Sequence, residues 1–91
     1  MSRKHTCHAE GCETPVPPRI LMCARHWRMV PKPLQDAVYA TYRPGQEIDM
    51  RPSIEWLDAA TSAENHVRVV EGYRPRPLPS ELLARQREAL P

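Results

Sequence analysis

Phenylalanine is absent from this chain, and its three glycines, Gly11, Gly45 and Gly72, are too scattered to build a glycine-rich phosphate loop. Without phenylalanine, a core must draw on Trp27, Trp56, Tyr39, Tyr42 and the aliphatic residues. No serine stands in a nucleophile motif. No apolar run approaches the roughly 20 residues that a membrane span needs. The segment Met1-Ser2-Arg3-Lys4-His5-Thr6 lacks the apolar region of a secretory signal. These absences predict a soluble, cytoplasmic, non-enzymatic protein with no small-molecule substrate. In a reducing compartment thiols bind metal more often than they pair.

Cysteine is also scarce, but all three lie in one stretch with a histidine behind them. Cys7, Cys12, Cys23 and His26 follow the spacing C-x4-C-x10-C-x2-H. Three thiolates and one imidazole are a donor set that zinc favours, and four protein ligands make a closed, structural site. One disulfide with a free thiol is the alternative for three cysteines. His5 and His8 compete with His26 for the fourth place. His8 directly follows a ligand, so its side chain should point away, and His26 is the better choice. Gly11 lets the backbone turn tightly before Cys12. Cys23 and His26, three apart, share one face of a first helical turn.

Between the pairs, Pro15-Val16-Pro17-Pro18 excludes helix, and a turn followed by a short strand, Arg19 to Met22, is expected. Turn, short hairpin and helix start outline a treble-clef zinc finger. The predicted fold is therefore a small α-rich (α+β) zinc domain with a treble-clef-like knuckle, two further helices and a proline-rich tail. Residues 1–6 form a flexible start, 7–72 the domain with its zinc unit at 7–30, and 73–91 a linker and short amphipathic helix.

The first helix should run from Cys23 to Val30 and stop at Pro31. Trp27 beside it reads as core rather than as a base-stacking residue. A second helix, Pro33 to Tyr42, should bury Leu34, Val38 and Tyr42. The Arg43-Pro44-Gly45-Gln46 run should end it in a turn. A third, from Pro52-Ser53 to Val70, carries Trp56, Ala60, Ala63, Val67 and Val70 at alternating spacings of four and three. Gly72 is its expected stop. Trp27, Val38, Tyr42, Trp56 and Val67 should share one core. After an extended Arg74-Pro75-Arg76-Pro77 linker, Ser80 should cap a tail helix from Glu81 to Ala89, with Leu82, Leu83 and Leu90 on its apolar side. A helix so short either docks or frays.

Charge is unevenly spread. Residues 1–43 hold seven Arg/Lys against three acids, and residues 44–73 hold two against six. A basic zinc segment thus precedes an acidic one. The split suits a nucleic-acid face made of Arg19, Arg25, Arg28 and Lys32, or two segments of one domain that attract each other. The pair Asn65-His66 is the only candidate for a nuclease-like centre, and it lies in a helical stretch; His66 reads as an ordinary boundary histidine.

Cys-His-x-x-Gly-Cys, Pro-Val-Pro-Pro-Arg, Cys-x-x-His-Trp and Tyr-Arg-Pro-Gly-Gln together resemble short zinc-finger proteins of temperate phages and prophages, over about residues 5–72. The resemblance implies a bacterial host cell and one zinc, and no defined activity. More loosely, the four ligands are similar to the treble-clef knuckle of phage homing endonucleases, which contacts DNA. Only Cys7, Cys12, Cys23 and His26 carry over; the nuclease part is missing, so cleavage does not. Two function classes follow: a module that binds DNA or RNA, or an interaction protein that binds a host or phage protein.

Overall fold

The computed structural model describes residues 5–89. Arg3 and Lys4, part of the basic count, and Leu90, assigned to the tail's apolar side, lie outside them. Five helices follow one another: α1 (Ala24–Trp27), α2 (Lys32–Thr41), α3 (Gln46–Asp49), α4 (Ile54–Val70) and α5 (Pro79–Ala89). Strand is nearly absent among the described residues, where one antiparallel bridge joins Thr6 to Pro15.

The second helix begins one residue early, with Pro33 in its first turn, where the missing N–H costs nothing. Ser53 caps α4, its side chain accepting from the Trp56 N–H at 3.1 Å. Gly72, with φ 92, closes α4 by two bonds: Gly72 N–H to Val69 O and Tyr73 N–H to Arg68 O. That pair is the Schellman arrangement, and it needs the left-handed residue glycine supplies.

α2 packs against α4. Ser53 at the head of α4 meets the Thr41 carbonyl at the foot of α2, so the two run antiparallel. Val38 on α2 and Ala60, Ala63 and Val67 on α4 are buried, joined by Leu21, Met22, Val30 and His26 from the metal segment. Trp27, Tyr42 and Trp56 are only half-buried, although Val38 and Val67 lie in the core as expected. Val70 departs from its expected place in the stripe, being 60% exposed. At roughly 1.5 Å per residue α4 is about 25 Å long and α2 about 15 Å, so the last turn of α4 runs past the start of its neighbour.

Two other departures have local causes. The turn at Arg43–Gln46 continues into α3, which the four-residue length hid. Buried Gln46 accepts from the Arg43 N–H through Oε1, and the Arg43 guanidinium holds both oxygens of Asp49 at 3.0 Å. Residues 19–22 form no ladder strand; the His8 N–H to Leu21 O bond is their one tie across the knuckle among those backbone bonds.

The tail lies against α4. Asn65 clamps the Arg76 backbone, donating to its carbonyl and accepting from its N–H, both at 2.8 Å. Arg68 Nε donates to Arg74 O, and Asp58 accepts from the Ser80 N–H. Helix α5 starts at Pro79, so Ser80 sits inside it and Asp58, from another helix, takes the capping role. Leu82 and Leu83 stay partly exposed.

Candidate metal centre

Cys7 and Cys12 flank a turn in which the Cys12 N–H reaches the Ala9 carbonyl at 3.0 Å. Gly11, third in that turn, has φ 75, a backbone that side chains other than glycine's resist. The Cys7 N–H donates to Thr14 O and the Val16 N–H to His5 O. Those bonds fold the proline-rich strip back over the turn. His5 and Thr6, expected within a flexible start, belong to this pairing.

Cys23 stands at the head of α1 with extended backbone, and His26 lies one turn further. The four donor atoms Cys7 Sγ, Cys12 Sγ, Cys23 Sγ and one His26 nitrogen lie within 4.8 Å of one another. His26 Nδ1 is 3.2 Å from Cys23 Sγ and 3.5 Å from Cys7 Sγ. Tetrahedral zinc, with bonds of roughly 2.3 Å to sulfur and 2.0–2.1 Å to nitrogen, spaces such atoms by about 3.5–3.8 Å. Cys7, Cys23 and His26 are buried and Cys12 is half-buried. All three thiols are unpaired, and the four donors lie close enough together to hold one metal ion.

The thiols are tuned unequally. The His26 backbone N–H lowers Cys23 most, to about 6. Thr14, through hydroxyl and backbone, lowers Cys12. Burial raises Cys7. A bound divalent cation would hold all three as thiolates.

With Nδ1 on the metal, Nε2 carries the proton. Glu71 Oε2 lies 3.3 Å from Nε2 and accepts it. Burial opposes a charged imidazole, but Cys23 and Glu71 outweigh it and raise His26. Carboxylate, histidine and metal in line is the arrangement that fixes a ligand's tautomer and orientation. Arg25 Nη2 is 3.2 Å from the same nitrogen; in this tautomer it does not donate to the ring. Glu71 was invisible in sequence except as one acid among six in its segment.

His8 turns from the thiol cluster, as its position demands, and meets Glu64; His5 meets His8. The four basic candidates are exposed but scattered. Arg19 lines a cleft with Trp56, in the first turn of α4, while Arg25 lies by Glu71 at its far end. Lys32 pairs with Asp36. Asn65, half of the Asn65-His66 pair, is spent on the tail.

Next to the knuckle lies an apolar cleft of about 470 Å³, lined by Ile20, Met22, Trp27, Tyr39, Tyr42 and Trp56 among others. The Trp27 indole N–H donates to Tyr39 Oη at 3.1 Å, and the rings meet edge-on. Trp56 Nε1 is buried with no partner among the described residues. No helix is long and apolar enough to cross a membrane among those residues. No protein-family model, curated protein or solved structure matches this chain.

Proposed function

We propose that the chain is a zinc-stabilised, non-enzymatic interaction module of phage or prophage origin, in which one structural zinc on Cys7, Cys12, Cys23 and His26 braces a treble-clef-like knuckle. The protein-partner class is the favoured one, with the cleft taking an apolar segment of a host or phage protein in the bacterial cytoplasm. The observation that carries this reading is the aromatic cleft beside the knuckle, where Tyr39 is 65% and Ile20 41% exposed. The charge split supports it too. Arg43 of the basic segment pairs with Asp49 of the acidic one, which accounts for part of that split as attraction within one domain.

The nucleic-acid reading has Arg28 in its favour, which is exposed and has no salt-bridge partner among the described residues. The test compares the zinc-loaded wild type with Tyr39→Ser, Ile20→Ser and Arg25→Ala/Arg28→Ala. Capture of one defined protein, lost in the cleft variants at unchanged zinc content, supports the favoured reading. Salt-dependent binding of DNA or RNA that weakens in the arginine variant, by about one unit of salt slope per lost phosphate contact, would replace it. Retained capture in both cleft variants would remove the cleft as the contact surface.

A further inference from the structure

On the surface of the knuckle, apart from the four-ligand cluster, two more ring nitrogens converge. His5 Nε2 and His8 Nε2 are 3.1 Å apart, with ring centroids 5.1 Å apart and planes inclined by 50°. The other nitrogen of each ring is already engaged. His5 Nδ1 lies 3.2 Å from the Val16 carbonyl, and His8 Nδ1 lies 3.0 Å from Glu64 Oε1. A carbonyl and a carboxylate oxygen only accept, so each Nδ1 must donate the ring's N–H. In two neutral imidazoles arranged this way, both Nε2 atoms present lone pairs to each other. That approach is repulsive unless a proton or a metal ion lies between them.

We propose that His5 and His8 form a second metal site, for a borderline divalent cation of the zinc, nickel and copper class, with Glu64 as the residue that positions His8. Imidazole nitrogen suits these ions. Two metal–nitrogen bonds of roughly 2.0–2.1 Å, meeting at an angle between square and tetrahedral, span about 2.9–3.4 Å. The observed 3.1 Å falls inside that span. Each ring has its second nitrogen fixed by an oxygen, the arrangement that orients metal-binding histidines. Val16 anchors one ring from the proline strip and Glu64 anchors the other from α4.

This site differs in kind from the buried one. It supplies two protein ligands and leaves the remaining positions to water or to a group from another molecule. His8 is more than a third exposed, while the Glu64 side chain is largely covered, so the ion would enter from solvent and exchange. Both histidines lie within two residues of Cys7, one on each side of it, so the two sites share a strand of backbone without sharing a ligand.

The test uses the untagged full chain, loaded with one equivalent of zinc. It is titrated further with zinc by calorimetry, and the imidazole nitrogens are followed by NMR. A second equivalent should bind more weakly than the first, shifting both Nε2 signals while both Nδ1 atoms keep their protons. His5→Ala and His8→Ala should each weaken the second event at least tenfold and leave the first equivalent in place. Glu64→Gln should weaken it about 10–100-fold. Besides the ring pair, the His5 side chain makes one hydrogen bond, to the Val16 carbonyl, so His5→Ala stays informative if His8→Ala disturbs the fold. A single equivalent at saturation, with one proton shared between the rings, would overturn the proposal. So would a second event of equal strength in the wild type and both histidine variants.

Discussion

In the α2–α4 pair, order comes from burial: Val38 shares one buried cluster with Ala60, Ala63 and Val67. In the knuckle, order comes from turns, one bridge and four converging ligands. Its buried side chains include two thiols and an imidazole, groups that leave water favourably only when bonded. Helices can bury a stripe because their period repeats it. A strip with prolines at 15, 17 and 18 has neither ladder nor period, and an ion held by the four converging donors would replace the missing core. The teaching of the pair is that two kinds of stabilisation meet at Met22, Cys23 and His26, where the ligand segment becomes part of the hydrophobic core.

The sharpest way to break the comparison is to remove the ion. Chelation, Cys23→Ser or His26→Ala should unfold residues 5–30, because structural zinc contributes on the order of 10–16 kcal/mol in small fingers. Hydrogen exchange should show protection lost in the knuckle first, with the middle of α4 the last to open. His26→Ala should do more damage than His8→Ala, and the reverse order would overturn the ligand assignment. Acid should mimic chelation. In the metal-free protein Cys23 is depressed from 9.0 to about 6, so its thiolate is favoured above that point and lost as pH falls through it. Protons compete with the metal for the thiolates, so zinc release, followed with a chromophoric chelator, should rise as pH falls, at a pH below that metal-free value.

A smaller effect tests the shared boundary. Met22 is 2% exposed and belongs to both regions. Met22→Ala should cost about 2–5 kcal/mol in denaturant unfolding of the zinc-loaded protein. No loss in the zinc-loaded protein would show that the knuckle does not lean on the helices. Glu71→Gln is gentler still, lowering zinc affinity about 10–100-fold with little change in the metal-free protein. An equal loss with and without metal would make Glu71 a cap residue rather than a support for His26. Smallest is Ser53→Ala, which removes the cap of α4 and should cost about 1 kcal/mol, whether or not zinc is bound.

The ligands were legible because metal spacing is a local code. A turn with Gly11 brings Cys7 and Cys12 together, and a helical turn pairs Cys23 with His26. Helices α2 and α4 were legible for the same reason, through Pro33, Ser53, Gly72 and the run from Trp56 to Val67. Even the choice between His8 and His26 followed from side-chain direction along a short segment.

What the sequence determined by itself was thus whatever depends on residues a few places apart: the donor set, the limits of α2, α4 and α5 within a residue or two, and the extended proline linker. The tertiary structure alone decided which distant groups meet. Glu71 reaches His26 across 45 residues, Glu64 reaches His8 across 56, and Asn65 seizes Arg76 at the tail. Acids, amides and arginines carry no period that marks a partner, and their roles appear only once α4 is laid along the knuckle. The exposure of Val70 was settled the same way, because a stripe records which face is apolar but not where the neighbouring helix stops.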